Sequence, residues 1–463
     1  MVAVILDIAV TLGFATTGYL CARLLLKEAS WLDILSLAFP LGSGLMTWFF
    51  FLFGWIGISF DRLQVIVIWL GVNLVFAVLI WSKHNNFAIR KPAVIQRRPS
   101  LAGPDFVALS ILGASLIISI VLSIGRSYSI YDAIAMWAPK GYGIALERSL
   151  WGAHWGNHGF AYPLNIQFII ASFRLFSGDI LPGSKITFPL FFFSMLLGIY
   201  SFWVKKRVNS FVRAISILVL ATVPTLFSFS MIGYANLPMV TCLVLAILWG
   251  IEGMEERDSS RQVLSGILLG ITVWTIIEGM LYVAVVIPVM FIARYVSRAG
   301  QVKPIAWIAP VVVIGGAWFV FYRLHGSAGS QAMSAASKMW QAFLQGNFRL
   351  PELRMILGYA RRNIFEISTW GFIYPFGILF SILGWKKLRP GNDFVAFALL
   401  ISTAATAVLS LGLFYLRSFD IPGFYYLLQR GFHRGFMSPT ILLFILGIQL
   451  LTSFQIRHED KGI

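Results

Sequence analysis

The chain has 463 residues, of which 58% are hydrophobic and only 12% are charged, and its formal net charge is +17. A soluble domain would carry about twice that charged fraction, so the composition excludes an ordinary soluble protein. Cys21 and Cys242 both lie inside apolar runs, which indicates neither a disulfide framework nor a cysteine metal cluster. The chain starts without the charged region and cleavage site of a signal peptide, so we expect the first span to be retained.

Long uncharged stretches recur along the chain. Those at 106–124 and 304–322 are each long enough to cross a hydrocarbon core of about 30 Å as a helix. They are continuous rather than alternating, which selects helices over a β-barrel. We therefore predict an all-α polytopic membrane protein of roughly thirteen spans. Their approximate bounds are 3–25, 32–58, 63–81, 105–124, 186–204, 210–229, 237–251, 262–277, 280–296, 304–322, 370–385, 393–414 and 437–455.

Basic clusters between the spans orient the chain. Short cytoplasmic loops carry an excess of Lys and Arg, which accounts for the positive charge better than nucleic acid does. If all the clusters are cytoplasmic, the spans alternate consistently, with the N-terminus outside and the C-terminus inside. The apolar stretch Asn165–Phe176 is only about 18 Å long as a helix, so we expect it to lie at the interface or to re-enter. Three longer segments then face outward, at 125–185, 323–369 and 415–437.

Two acidic residues in the outward region are candidate functional groups. Asp132 lies only about eight residues beyond the end of a span, near the lipid–water boundary. A carboxylate at that depth can accept a proton from a hydroxyl, bind a metal ion or remain solvated. Glu278 is an acid in an otherwise apolar stretch of about thirty residues, where an ionisable side chain suggests either function or a structural helix-end role.

Three short motifs follow one another on this predicted outer face. The first outer segment contains Asp132-Ala133, Trp137, Lys140 and Tyr162-Pro163-Leu164; Tyr234-Ala235-Asn236-Leu237-Pro238 and Glu278-Gly279 come later. In this order they resemble the membrane glycosyltransferases with the multi-span GT-C fold, which include protein O-mannosyltransferases and lipid A aminoarabinose transferases. A bacterial branch of sugar transferases is the nearest match. The resemblance covers about residues 105–290, and the remainder only by topology.

The chain departs from the family pattern in two places. Asn236 stands where the pattern usually has Asp, so this chain either lacks the role of that acid or uses Glu278 instead. The first three spans are additional to the core fold. We therefore divide the chain into a three-span extension with its basic loop (1–104), a GT-C-like catalytic core (105–322), and C-terminal spans with two further outer segments (323–463).

The resemblance implies an inverting transfer of a sugar from a polyprenyl-phosphate carrier to an acceptor at the outer face of the bacterial inner membrane. The acceptor would be a glycan, lipid or protein. Asp132 would be the base and Glu278 a second catalytic residue, because the nucleophile requires a positioned base. No cofactor is required with certainty, and a divalent cation stays open. The absence of an Asp-x-Asp motif from the sequence argues against a metal–nucleotide-sugar mechanism.

Further residues are candidates for binding the substrate. The departing phosphate requires cationic donors, which Lys140, Arg430, His433 and Arg434 could supply. Trp137 could stack on a sugar ring or belong to the interfacial aromatic belt. Tyr162, Tyr234 and Asn236 complete the predicted binding set. His154 and His158 are four residues apart, but their surroundings favour hydrogen-bonded loop histidines over a metal pair.

Other functions stay open. A transporter or flippase of lipid-linked substrates would require ionisable residues near the midplane, and these are nearly absent. A lipid-linked glycan polymerase or ligase shares the many spans, the long outer loop and the outer Arg and His residues. The Asp132 loop and Glu278-Gly279 favour the transferase, while Asn236 raises the alternative of an inactive family member.

Overall fold

The computed structural model describes residues 2–26, 28–85, 101–125, 128, 132–151, 162–178, 183–298, 301–325, 331–389, 392–419 and 424–459. These residues form helices and no strand. The α-helices are α1 Val2–Leu25, α2 Trp31–Trp55, α3 Arg62–Asn85, α4 Gly103–Ile124, α5 Ala138–Glu147, α6 Asn165–Ser177, α7 Thr187–Lys205, α8 Ser210–Thr222, α9 Pro224–Phe229, α10 Asn236–Glu255, α11 Ser259–Thr275, α12 Ile277–Ser297, α13 Pro304–Pro310, α14 Gly316–His325, α15 Gln331–Leu344, α16 Leu350–Ile364, α17 Ile367–Trp370, α18 Ile373–Leu383, α19 Phe394–Ser418 and α20 Phe424–Glu459.

Ten helical segments of the described chain are long and apolar enough to cross a membrane. This confirms the predicted all-α polytopic membrane fold. Three predicted spans are not among the ten, and each is built from shorter helices. The span predicted at 210–229 is divided into α8 and α9 because Pro224 lacks an N–H and its ring obstructs the preceding turn. The other two correspond to α11, with 17 residues, and α18, with 11 residues.

The third predicted outer segment is helical, and its outward position stays a prediction. Residues 415–418 continue α19, and residues 424–437 form the start of α20, which runs on to Glu459. Arg430 and Arg434 interrupt the hydropathy of this stretch, and for that reason it was not included in a predicted span. In a helix they are four residues apart and share one face, so the chain remains helical around them.

The described chain divides into two compact units. Unit 1 comprises residues 1–222, 226–280 and 303–318, and unit 2 comprises residues 223–225, 281–302 and 319–463. The three-part division into 1–104, 105–322 and 323–463 follows sequence features rather than these contacts, and it stays a prediction.

Unit 1 has two distinct ends, which we name by their residues. The loop end carries residues 56–61, 128, 132–151, 162–178, 183–186, 230–236 and 275–278, and a bond from Phe60 N to Arg148 O (2.7 Å) joins two of these segments. The opposite end carries residues 26, 28–33, 205–213 and 252–262, where Lys205 Nζ lies 3.0 Å from Asp33 Oδ1 and 2.6 Å from Glu252 Oε2. The helix α7 connects the two ends. Within unit 1, the described part of the first predicted outer segment therefore lies at the loop end. The predicted cytoplasmic residues Lys205, Lys206, Arg207, Arg257 and Arg261 lie at the opposite end.

The helices α1 and α2 cross with their backbones in direct contact. A Cβ atom built on Gly18 would lie 1.8 Å from Ala38 O, and one built on Gly42 would lie 1.7 Å from Phe14 O. Small residues at helix crossings allow this approach in membrane proteins. The helix α2 also packs against α7 and α11. A Cβ atom on Gly198 of α7 would lie 3.5 Å from Ser36 Cβ of α2, and one on Gly44 of α2 would lie 2.5 Å from the Ile271 side chain of α11.

We predict that Gly42→Ala destabilises the protein by about 3 kcal/mol, because a backbone carbonyl must move to admit the methyl group. The matched control is Gly113→Ala within α4, where no atom lies within 4 Å of the new Cβ. Thermal unfolding in detergent should show a Tm several degrees lower for Gly42→Ala and an unchanged Tm for Gly113→Ala. Equal midpoints for the two variants would contradict the close crossing.

Candidate functional site

Asp132 lies directly before an irregular helical turn. Residues Ala133–Trp137 form a π-helical turn, and Ala138–Glu147 then continue as the regular helix α5. Pro139 occupies the first turn of α5, where its missing N–H removes no helical hydrogen bond. Single π-helical turns occur frequently at functional sites because they turn side chains away from the regular helical register. The half-buried Asp132 thus occupies a position with local geometry typical of a site.

The short helix α6 packs inside unit 1 against α5. Ten of its thirteen residues are buried. Gly141 of α5 permits the contact, because a Cβ there would lie 2.7 Å from the Ile170 side chain and 2.8 Å from Gln167 O. Its side chains face protein on nearly all sides. Its position at the interface or as a re-entrant segment stays a prediction. Its length is too short to span, as expected.

A buried hydrogen-bond network starts at the first residue of α6. Asn165 is fully buried; its Oδ1 accepts from Thr47 Oγ1 (2.8 Å) and its Nδ2 donates to Thr275 Oγ1 (2.8 Å). Trp274 Nε1 donates to Thr47 Oγ1 (3.0 Å). Asn165 directly follows Tyr162-Pro163-Leu164, and Thr275 precedes Glu278-Gly279. Two of the three sequence motifs are therefore joined by side-chain hydrogen bonds.

The remaining motif is joined through Tyr128. Gly233 has a φ of +78°, and a Cβ there would lie 2.8 Å from the Tyr128 ring. The Tyr128 hydroxyl forms a 2.8 Å hydrogen bond with Ser184 Oγ, and Lys185 Nζ lies 5.6 Å from the centre of the Tyr128 ring. The start of the first outer segment, its end and the turn before Tyr234 thus meet at the loop end.

Glu278 lies in the first turn of α12 and is half-buried. A carboxylate there interacts favourably with the helix dipole, which suits the structural role as well as the functional one. The adjacent Gly279 has a packing role of its own, because a Cβ on it would lie 2.2 Å from Thr272 O. The Glu-Gly pair therefore combines an acid with the close approach of α11 and α12.

Trp137 and Tyr162 are brought together by the fold. Their ring centres lie 5.3 Å apart in an edge-to-face arrangement. Only 2% of Trp137 is exposed, so its faces are covered and do not present an open platform for a sugar. Tyr162 is half-buried above it. The role of this pair in binding stays a prediction, with Tyr162 as its accessible member.

Tyr234 and Asn236 lie at the N-terminal end of α10. Asn236 is the first residue of that helix and is buried, and the Tyr234 ring packs 5.6 Å from that of Phe229. That these two residues contact the substrate stays a prediction.

Lys140 lies two turns after Asp132 and is 3% exposed. Burial lowers the pKa of Lys140 to about 7, because the charged ammonium loses its hydration. Its charge therefore changes near neutral pH, unlike that of an exposed lysine. Such a group can supply a cation to a phosphate or accept a proton, depending on what binds beside it.

The predicted binding residues of the third segment lie on α20 in unit 2. The Arg430 guanidinium lies 4.2 Å from the centre of the Tyr426 ring and is exposed. His433 is half-buried against Trp370, with ring centres 6.0 Å apart, and its Nδ1 has no hydrogen-bond partner within the described residues. Arg434 is half-buried one position later. Their predicted phosphate binding is untested.

Among the described residues, no group of three or more His, Cys, Asp or Glu side chains is placed to hold a metal ion. His154 and His158 lie outside the described residues.

Three buried polar residues at or beside the loop end were not predicted as site residues from the sequence. They are Asp7, whose carboxylate packs against Gly183, together with Asn165 and Lys185. Each is a single polar residue at the edge of an apolar run, which was the available signal. A hydropathy profile averages over a single polar residue. These three residues are therefore recognised only by their proximity in the folded chain.

No protein-family model matches the chain, and no curated protein matches its sequence. The fold is similar to an oligosaccharyltransferase from Archaeoglobus fulgidus, solved tethered to an acceptor peptide through a disulfide bond, with a TM-score of 0.43 and 13% identity. The similarity covers 77% of this chain and 50% of that chain, so the present chain spans half the length of that enzyme. The site is therefore interpreted from its own residues.

The lowered pKa of Lys140 predicts a pH-dependent penalty on stability. Between pH 7 and 10.5 the unfolded chain holds a proton that the folded chain has released, so stability rises with pH and is lowest below pH 7. Replacing Lys140 by Met removes this penalty. The Tm of Lys140→Met minus that of the unmodified protein should be more positive at pH 6 than at pH 9, measured by thermal unfolding in detergent.

The control for this experiment is Lys386→Met, at an exposed position of unit 2. Its Tm difference should be the same at both pH values. A Lys140→Met difference that does not change with pH would mean that Lys140 keeps its proton when buried.

Proposed function

We propose that the chain is a membrane glycosyltransferase of the GT-C type, which transfers a sugar from a polyprenyl-phosphate carrier to an acceptor hydroxyl or amine. The observation that carries this proposal is the bond from Asn165 to Thr275. It ties the segment after Asp132, Lys140 and Tyr162 to the segment that contains Glu278. Motifs that are more than a hundred residues apart in sequence thus share one end of one compact unit.

The proposed mechanism assigns a separate task to each charged group. Asp132 accepts the proton of the acceptor, whose oxygen or nitrogen attacks the anomeric carbon as the bond to the carrier phosphate breaks, with inversion. Lys140 in its protonated form binds the departing phosphate, which carries the developing negative charge. Glu278 orients the acceptor or takes the role of the acid that Asn236 replaces. Half-burial of Asp132 strengthens each of these electrostatic contacts.

The proposal places the loop end of unit 1 at the outer face of a bacterial inner membrane. The lipid tail of the carrier then lies in the bilayer, and the acceptor glycan, lipid or protein approaches from the aqueous side. Within unit 2, the exposed Arg430 and the half-buried His433 and Arg434 are proposed to bind the phosphate of a lipid-linked substrate. A divalent cation is not required by these steps, and none is assigned.

The central prediction concerns Asp132. Purified protein would be supplied with a polyprenyl phosphate carrying a radiolabelled hexose and with a membrane acceptor fraction. We expect Asp132→Asn to lower the rate of sugar transfer about a hundredfold or more, because the amide cannot accept the proton. The measurement is the movement of the label from the polyprenyl-phosphate hexose to the acceptor, resolved by thin-layer chromatography.

The matched control is Glu28→Gln, which also converts an acid to an amide but lies at an exposed position at the opposite end of unit 1. It should retain full transfer. Transfer at the normal rate by Asp132→Asn would remove the proposed base, and with it the mechanism.

The orientation of the chain can be tested separately from activity. Both native cysteines are buried, so a membrane-impermeant thiol reagent should not label the unmodified protein. With Glu147→Cys, an exposed position at the loop end, whole cells should be labelled from outside. Arg257→Cys, an exposed position at the opposite end, should be labelled only after permeabilisation. The reverse pattern would overturn both the orientation and the outer-face mechanism.

A further inference from the structure

A cleft of about 520 Å³ opens at the loop end of unit 1, away from Asp132. It lies between the loop that joins α2 to α3 and the C-terminal ends of α5 and α6. Asp132 and Glu147 are at opposite ends of the α5 segment, about 20 Å apart at the helical rise per residue. The cleft is therefore separate from the proposed transfer site. Its lining residues are Asp61, Arg62, Leu63, Ala145, Leu146, Arg148, Arg174 and Leu175.

The cleft is strongly cationic. Three of its eight lining residues are arginines, and no carboxylate of the described residues lies within 4 Å of their guanidinium groups. Its single acid is Asp61, which accepts from Gln64 N (3.0 Å) and from Ser59 Oγ (2.9 Å) and so caps the first turn of α3. Asp61 also interacts electrostatically with Arg148. It offsets one of the three arginine charges, so the lining keeps an excess of two positive charges.

Hydrogen bonds to backbone carbonyls hold the arginines in place. Arg62 Nε donates to Leu175 O (2.8 Å), and Arg174 Nη1 donates to Gly178 O. The Arg174 guanidinium also lies 5.2 Å from the centre of the Tyr142 ring. Each of these bonds uses one of the five N–H groups of a guanidinium, so the others remain for a ligand. An arginine that is fixed in this way loses little freedom on binding an anion.

The backbone of Arg148 is fixed by its conformation and by one hydrogen bond. It ends α5 with a φ of +52°, in the left-handed region, and its carbonyl accepts from Phe60 N (2.7 Å). A left-handed residue that is not glycine is uncommon and marks a position that its surroundings fix. The hydrogen bond from Phe60 therefore links the backbone of Arg148 to the loop between α2 and α3, which ends next to Arg62.

The edge of the cleft is apolar and exposed. Leu63 is 69% exposed and Leu146 is 68% exposed. Arg62 is the first residue of α3, one of the segments that are long and apolar enough to span a membrane. Arginines at the start of a span lie at the depth of lipid headgroups, with apolar side chains toward the acyl chains. A soluble anion would leave Leu63 and Leu146 uncovered, whereas the acyl chains of a lipid would cover them.

We propose that this cleft binds the phosphate of an anionic lipid headgroup. The phosphate oxygens accept hydrogen bonds from Arg62, Arg148 and Arg174, and the first part of the acyl chains covers Leu63 and Leu146. Planar guanidinium groups match phosphate oxygens in pairs, which fits a phosphate monoester or diester. The cleft binds this group whether or not the chain transfers a sugar.

The test uses the full-length protein in detergent and short-chain lipids that dissolve as single molecules. Native mass spectrometry would measure the Kd for dihexanoyl phosphatidylglycerol, for dihexanoyl phosphatidylcholine and for inorganic phosphate. We expect one tight phosphatidylglycerol site and much weaker binding of the other two. Arg148→Gln should raise the Kd for phosphatidylglycerol about fivefold, the loss expected for one partly exposed charge-assisted contact.

The matched control is Arg207→Gln. Arg207 is also exposed and also left-handed, with a φ of +54°, but it follows α7 at the opposite end of unit 1. Its substitution should leave the Kd unchanged. Arg148→Gly provides a second variant, because glycine accepts the left-handed backbone without strain and so removes the side chain from a folded protein.

Three outcomes would overturn the proposal. Phosphatidylglycerol binding that survives both Arg148 variants would show that the cleft is not its site. Equal Kd values for phosphatidylglycerol and phosphatidylcholine would show that net charge is not recognised. Binding of inorganic phosphate as tight as that of phosphatidylglycerol would identify a soluble anion as the ligand in place of the lipid.

Discussion

One buried amide holds the candidate site together. Asn165 has no exposed surface, and its two polar atoms are bonded to Thr47 of α2 and Thr275 of α11. A polar group this deep costs about 1–3 kcal/mol if it is left without a partner, so the three helices must keep their register. The first outer segment and the segment before Glu278 are consequently fixed to one scaffold. The proposed transfer site depends on this connection more than on any single catalytic group.

Two glycines permit the close approaches that complete the site. Gly233 adopts a left-handed backbone under the Tyr128 ring, and Gly279 leaves room for the carbonyl of Thr272. Any side chain at Gly279 would separate α11 from α12 and move Glu278 with it. The second residue of the Glu-Gly motif is thus explained by packing, independently of chemistry. Sequence motifs at such sites combine reactive groups with the backbone geometry that positions them.

The helices could be predicted from the sequence, but the candidate site could be predicted only in part. Continuous apolar runs predict spans reliably, because a backbone in lipid must satisfy its own hydrogen bonds. The last predicted span begins at residue 437, whereas α20 begins at Phe424, because Arg430 and Arg434 lie four residues apart on one face of the helix and do not end it. Asn165 and Arg148 could not be recognised beforehand, because their roles arise from contacts with residues about 90 to 120 positions away. Periodicity carries no information about such distant pairs.

The ion pairs of unit 1 show where its positive charges are balanced by carboxylates and where they are not. At the opposite end of unit 1, Lys205 pairs with Asp33 and Glu252, and Arg213 contacts Asp105 at 2.7 Å. Buried pairs of this kind fix the register of neighbouring helices more than they add stability. Lys205 was predicted to mark the cytoplasmic side, and its charge is balanced within the protein by Asp33 and Glu252. Among the described residues no carboxylate lies within 4 Å of the cleft arginines, and Asp61 offsets only one of their three charges. A phosphate-bearing ligand would therefore meet more uncompensated charge at the cleft than at the ion-paired helices of the opposite end, although the positive-inside rule alone predicts the reverse.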